Sequence, residues 1–441
     1  MRRKNPAIVE ESPECYTRLA DSLPRAGLSF ARVVGATLET PVPNTLAKRL
    51  DSVKPSATLA MTARANQLRQ AGRKVYAFGV GEPDFATPEF IRDAAQKALA
   101  TSSHYTAVSG TATLKQAICE ATSRDRGWTP KPEQITVSVG AKHALFNIAS
   151  ALVDPGDEVV IPAPYWVSYP EQVNMFGGVP VIVETSAQNG WRMTPDELSA
   201  ALTPRTKAII LCTPSNPSGA AYDANELKAL ARVVADKTDA FIVVDEIYGE
   251  LVYDGFQHVS LAKVAPELAN RLIVVDGVSK TYAMTGWRIG WSIAPVPLAK
   301  AIDKVQGQST TNPTAVAQAA AAAALLGPRD EVKKMVSIFA ERRKRMVDGL
   351  NAVPGIRCDL PRGAFYAFPD VSGLYGIHHG GKKLASADDV CLWQLDACGI
   401  AAVAGEPFGA PGYIRYTYAS AESVIDEALA VLKEAVQRAE R

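Results

Sequence analysis

The chain has 441 residues, 47% of them apolar and 21% charged, which gives room for roughly two or three folding units and excludes disordered, fibrous and collagen-like classes. Lys and Arg total 47 against 46 Asp and Glu, so no broad field exists to draw in nucleic acid or an anionic membrane, and recognition of an anion must be local. Cys15, Cys119, Cys212, Cys358, Cys391 and Cys398 form no C-x-x-C pair and read as thiols of a reducing compartment, the cytoplasm, rather than as a disulfide framework.

Residues 1–40 mix Arg2, Arg3 and Lys4 with Glu10, Glu11 and Glu14 and carry no sustained apolar period. They are expected to form a disordered, non-catalytic extension. No secretory h-region is present, and the acidic residues argue against an organelle transit peptide without deciding it. From about residue 89 the text alternates. Helical stretches at 88–100 and 113–126 give way to apolar runs at 135–139, 158–161, 179–184, 207–212, 240–244, 272–275 and 290–294. Most are rich in Val and Ile and continuously apolar, as strands buried on both faces should be. The pattern predicts an α/β domain with a largely parallel sheet over residues 89–325. The most apolar run, 319–326, is far short of the roughly 20 residues that span a bilayer. It predicts a packed helix between Asn312-Pro313 and Gly327-Pro328, with Asn as cap, Pro in the first turn and Gly at the end. Helices at 330–353 and 421–438 around short strands at 364–369, 400–403 and 413–417 predict a smaller α+β domain, residues 326–441, with residues 41–88 packed against it. The His378-His379-Gly380-Gly381-Lys382-Lys383 stretch reads as a solvated loop rather than a metal site.

Ligands of such sheets bind beyond the carboxyl ends of the strands, so the residues after each run carry the functional reading. Asn216 follows one run, Asp245 and Tyr248 the next, and Ser279, Lys280 and Arg288 a third. A lysine that can form a Schiff base, an acid to pair with a pyridinium nitrogen and small or cationic phosphate donors fit pyridoxal phosphate chemistry. Lys280 alone would be an ordinary solvated lysine. Its Ser279-Lys280-Thr281 setting, ahead of Gly286-Trp287-Arg288, changes that.

Residues 45–441 resemble the fold-type I, class I aminotransferases, and within them the bacterial-type aspartate aminotransferases, some of which also use prephenate. The resemblance rests on Lys54-Pro55-Ser56-Ala57-Thr58, Gly81-Glu82-Pro83-Asp84-Phe85, Tyr165-Trp166-Val167-Ser168-Tyr169, Asn216-Pro217-Ser218-Gly219, Asp245-Glu246-Ile247-Tyr248, Ser279-Lys280-Thr281 and Arg415-Tyr416-Thr417-Tyr418-Ala419, in this order. It implies a pyridoxal-phosphate-dependent aminotransferase working between an amino acid, aspartate first, and a 2-oxo acid. Lys280 is implied as the Schiff-base lysine and Asp245 as the pyridine partner. Asn216 and Tyr248 would face the ring oxygen, and Trp166 would stack on the ring. Ser279, Arg288 and the backbone at Gly140 and Ala141 would hold phosphate. Tyr105 is implied to reach the phosphate of a neighbouring subunit, which makes the active unit a homodimer. Arg415 and Gly81 would take the substrate α-carboxylate; Lys142 and Thr58, with Lys54 adding charge, would take the distal one. The last pattern also accompanies prephenate use, and a broad or aromatic specificity is the further alternative. A lyase on the same scaffold is a rival, since the cofactor site does not fix the fate of the carbanion. A transcription regulator would need a DNA-binding domain ahead of this part, and a dinucleotide-dependent dehydrogenase would need a G-x-G-x-x-G turn.

Overall fold

A computed structural model of the chain describes residues 46–55 and 57–440; the extension expected at residues 1–40, with Cys15, lies outside them. The described part begins with α1 (Ala57–Gln70), β1 (Tyr76–Ala77), α2 (Glu89–Ala98) and α3 (Ala112–Arg126). Thr111 caps α3 by accepting from the Leu114 N–H, and Gly127 ends it in the left-handed region. Next come β2 (Ile135–Val139), α4 (Ala141–Leu152), β3 (Glu158–Ala163), α5 (Ser168–Met175), β4 (Val179–Glu184), α6 (Pro195–Ala201), β5 (Thr206–Cys212), α7 (Ala224–Lys237), β6 (Phe241–Asp245), α8 (Leu261–Val264), β7 (Leu272–Gly277) and β8 (Ile289–Ile293). The seven apolar runs thus form the seven strands β2 to β8.

These strands make one sheet in the order β2-β8-β7-β6-β5-β3-β4. All neighbours are parallel except the two pairs that β8 makes, with β2 and with β7. A parallel return needs a crossover of a dozen or more residues, and the link from Gly277 to Ile289 is too short to provide one. Apolar clusters cover both faces: Ile118, Val137, Leu211 and Val244 belong to one, and Leu145, Ile161, Val243 and Val275 to the other. Burial on both faces fails only at β4. It is an edge strand whose Val179 and Ile182 are exposed.

Then follow α9 (Val296–Gly307), α10 (Ala315–Leu326), α11 (Asp330–Asn351), β9 (Tyr366–Ala367), β10 (His378–His379), β11 (Lys382–Lys383), α12 (Ala387–Cys398), β12 (Ile400–Ala401), β13 (Val403–Ala404), β14 (Ile414–Thr417) and α13 (Glu422–Arg438). The alanine-rich α10 packs on α2 and α3. It starts later than expected, with Thr314 at the cap position, because the Asn312 and Gln318 side chains both donate to the Pro313 carbonyl and hold residues 312–313 outside the helix. The single strand expected at 400–403 is two: β12 runs parallel to β1, and β13 runs antiparallel to β14, which pairs on its other side with β9. The His378-His379 stretch is a short antiparallel hairpin with Lys382-Lys383 rather than a loop. No helix among the described residues is long and apolar enough to cross a membrane. Cys119, Cys212, Cys358, Cys391 and Cys398 are free thiols.

Candidate active site

The carboxyl edge of the sheet meets β9, β14 and the segment after β1 around a cavity of about 270 Å³. The sheet side of the cavity is supplied by chain at or just past the strand ends, while Thr58 comes from α1, Tyr366 from β9 and Arg415 from β14. β5 leads to Asn216, β6 ends on Asp245 with Tyr248 three residues on, and β7 leads to Ser279 and Lys280. β2 leads through Gly140 into α4, and β3 into Trp166 and Tyr169. Thr58, Gly81, Ala141, Lys142, Trp166, Asn216, Asp245, Tyr248, Ser279, Lys280, Arg288 and Arg415 all line the cavity. Three expected residues do not. Gly140 lies just behind the wall as the N-cap of α4, and Tyr105 is 90% exposed and outside the cavity of its own chain. Lys54, expected to add charge, is exposed and holds Glu171 through its backbone N–H, 2.7 Å away.

Lys280 is enclosed, and its ammonium donates to the Gly81 carbonyl at 2.6 Å. Burial brings its pKa down to about 8; Glu82 opposes the shift, while Arg415 and Arg288 reinforce it. Asp245, 4% exposed, is pushed up to about 6 by burial, against donation from the Tyr169 hydroxyl and the Ile247 N–H. Those bonds measure 2.8 and 3.2 Å. Arg415 is 2% exposed; its Nη1 donates to Asn216 Oδ1 at 2.8 Å and its Nη2 to the Gly79 carbonyl at 2.7 Å. The guanidinium lies over the rings of Tyr366 at 4.6 Å and Phe408 at 5.1 Å. The Tyr366 and Tyr248 hydroxyls are 2.9 Å apart. Gly81 is required here, since a Cβ would come within 2.8 Å of the Tyr366 hydroxyl. Its segment is pinned by Arg342 of α11, which takes both oxygens of Asp84 at 2.8 and 2.9 Å.

At the other end of the cavity α4 starts without a side-chain cap, so its first N–H groups are free to meet an anion. Arg288 stands beside them in the left-handed region, φ +58, its Nη1 and Nη2 donating to the Thr285 and Val139 carbonyls. A Cβ on Gly140 would come within 2.5 Å of the Arg288 guanidinium, and one on Gly290 would collide with the Ala141 amide. Glycine at both positions leaves a cradle. Lys142, whose pKa burial and then Arg288 lower, lies over the Trp166 ring at 5.0 Å.

Tyr169 and Tyr366 are the functional candidates that the sequence reading did not single out. Tyr169 stood inside a quoted motif, three residues after Trp166, where a turn of helix puts both on one side. Tyr366 stood in an expected strand with nothing in its flanks to mark it.

The chain matches the family described as aminotransferase class I and II over residues 73–432. It belongs to that family. The aspartate aminotransferase of Geobacillus stearothermophilus is 45% identical over 385 residues, covering 87% of this chain and 97% of the relative. The aspartate/prephenate aminotransferase of Cereibacter sphaeroides is 45% identical over 387 residues, with the same two shares. Among solved structures, the aspartate aminotransferase of Rhizobium meliloti superposes with a TM-score of 0.87 at 42% identity, covering 90% of this chain and all of the other. The protein is therefore a fold-type I aminotransferase, an enzyme that uses pyridoxal 5′-phosphate for transamination. The cavity fits that group. It offers a half-buried lysine of lowered pKa, a buried carboxylate in the same lining, and an uncapped helix start beside an arginine, with glycines where a side chain would block approach.

Proposed function

We propose that this aminotransferase moves the amino group of aspartate to a 2-oxo acid. The observation that carries the reading is that Lys280, Asp245, Arg415, Lys142 and Thr58 line one cavity. The names of the Geobacillus and Rhizobium relatives support the choice of donor.

When bound, pyridoxal phosphate supplies the electron sink that makes the Cα proton of an amino acid acidic. Asp245 holds the pyridine nitrogen in its protonated state, with Tyr169 keeping the carboxylate ionised. The start of α4, Ser279 and Arg288 would hold the phosphate, and Trp166, Asn216 and Tyr248 would hold the ring. Lys280 anchors the cofactor and then takes and returns the proton at the substrate carbon; a pKa of about 8 lets it serve as base and acid near neutral pH. Arg415 takes the α-carboxylate through its planar fork, steadied by Asn216 and by the Tyr366 ring. Gly81 leaves room beside it.

Lys142 and Thr58 read the distal carboxylate, with Lys54 outside the cavity adding only general charge. The same pair suits prephenate as amino acceptor, a second reading favoured by the Cereibacter relative, whose name joins both substrates. Tyr105, projecting from its own chain, completes the phosphate site of a second copy in a homodimer. The described part of the span 41–88 with 326–441 acts as the small domain beside the cofactor-binding residues 89–325, and the free thiols suit the cytoplasm.

The test is kcat/KM for aspartate and for an aromatic donor in three proteins. Arg415→Ala should damage both donors. Lys142→Ala should cost aspartate about one to two decades, the value of a charged hydrogen bond, and leave the aromatic donor nearly unchanged. Equal losses in Lys142→Ala would move the reading to a broad aminotransferase.

A further inference from the structure

Behind the sheet, away from the cavity, lies a buried charge cluster that the transamination reading does not use. The β6–β7 register sets Asp245 level with Val275, and the next step, held by the Glu246 N–H on the Val275 carbonyl at 2.8 Å, sets Glu246 beside Asp276. Side chains alternate along a strand. With Asp245 turned toward the cavity, Glu246 and Asp276 both turn to the rear face, two carboxylates side by side on adjacent central strands. Such pairs repel.

Arg126, the last residue of α3, reaches between them. Its side chain is 9% exposed, with Nε 3.6 Å from Glu246 and Nη2 3.3 Å from Asp276, and its Nη1 meets Glu250 in the turn after β6. The chain makes room for it: a Cβ on Gly249 would come within 2.7 Å of the Arg126 guanidinium.

We propose that Arg126 is a positioning residue for the cofactor site, neutralising Glu246 and Asp276 so that the ends of β6 and β7 stay in register and present Asp245 and Lys280 at the spacing the cofactor needs. The inference rests on the roles given to those two residues above. It adds a consequence that a packing role lacks. Burial pushes Asp276 up to about 7, opposed first by Arg126; without the arginine the pKa moves further up, so Asp276 stays protonated at low pH, as it does in wild type, and ionises beside Glu246 only at high pH. The other groups around the cluster are Glu250, Tyr282 and Arg329 near Asp276, Asp125 paired with Arg329, and His258 3.3 Å from Glu246. All stay in place in the variants below.

The experiment titrates pyridoxal 5′-phosphate into full-length, cofactor-stripped wild type, R126Q, R126K, D276N and R126Q/D276N, following tryptophan fluorescence at about pH 6 and about pH 9. Losing one charged hydrogen bond to the cofactor costs about one to two decades in affinity. R126Q should therefore bind about ten- to a hundredfold more weakly than wild type at the higher pH and within about threefold at the lower. R126K, which keeps the charge, should lie nearer wild type. R126Q/D276N should bind within about threefold of D276N at both pH values, because the repelling pair is gone. In turnover, R126Q should lose kcat while KM for the amino donor, set by Arg415, holds.

A loss in R126Q that is the same at both pH values and persists in the double variant would overturn the proposal. So would a lowered unfolding midpoint with unchanged affinity, which is a structural role alone. If R126Q does not fold, the double variant decides by the same threefold criterion. Wild type that binds no pyridoxal phosphate would overturn the proposed function and this inference with it; wild type that binds while the variants match it would overturn this inference only.

Discussion

In the proposed role Asp245 carries two opposed demands, burial and a negative charge at neutral pH. Burial alone favours its neutral form, and the value of about 6 is reached only because Tyr169 and the Ile247 N–H donate to the carboxylate. Removing a donor from the ionised form must raise the pKa. Tyr169→Phe, which keeps the ring edge-on to Trp166, should raise Asp245 by about one to two units, from about 1.5–3 kcal/mol for a hydrogen bond to a charge. Cofactor affinity, measured from about pH 5 to pH 9, should then fall off at a correspondingly higher pH. An unmoved fall-off would separate Tyr169 from Asp245 function. At this scale the sequence is informative where chemistry needs a rare residue type at a strand end, which is how Lys280, Asp245 and Asn216 became candidates that the fold gathers into one cavity; Arg415, inside β14, was named only through the family resemblance. Tyr169 and Tyr366 act through a carboxylate and a guanidinium that lie 76 and 49 positions further along the chain. Tyrosine is common in any core, so only the fold shows which ones face a charge.

The start of α4 depends on β8 coming close enough to set Gly290 against the amide of Ala141. Backbone stands on both sides of that contact, so no side chain can turn away to admit a methyl group. Gly290→Ala should lower stability by about 1–3 kcal/mol, as overpacking does, and should weaken pyridoxal phosphate binding more than it raises KM for the amino donor. Denaturant titration and cofactor titration check the two parts; a stable variant with normal cofactor affinity would mean that the helix start does not hold the phosphate. The strands themselves were legible because a run buried on both faces has to be apolar throughout. Their ends moved by only one or two residues, as at Phe241–Asp245 and Leu272–Gly277. The reversal of β8 was encoded too, in a connection too short for a crossover. The start of α10 was not. Asn312 and Pro313 have the right types for a helix entry, but the Gln318 side chain reaches back to the Pro313 carbonyl, a bond that propensity cannot anticipate. Two-residue strands such as β12 and β13 exist only through their partners.

In the whole molecule the cavity is walled by residues from Thr58 to Arg415, yet Tyr105 points out of it at 90% exposure. An aromatic side chain so placed buries little within its own chain, and the proposed role of Tyr105 therefore depends on a second copy. The sequence could name Tyr105 only through family resemblance, because no pattern within one chain would mark a residue that acts in another. The dimer proposal has a sharp consequence for mixed proteins. If each site joins Lys280 of one chain to Tyr105 of its partner, Tyr105→Ala and Lys280→Ala damage opposite sides of the same interface. A dimer holding one copy of each then has one site with both defects and one site with neither. Random reassortment of equal amounts makes half the dimers mixed, so about a quarter of all sites should be intact and turnover should recover to about a quarter of wild type. Lys280→Ala alone should be inactive, and Tyr105→Ala alone should bind pyridoxal phosphate about ten- to a hundredfold more weakly, the worth of one charged hydrogen bond. The measurement is transaminase activity after the two variants are unfolded together and refolded, beside each refolded alone. Activity equal to the mean of the two parents, with dimers confirmed by sedimentation, would mean that Tyr105 serves its own chain or none.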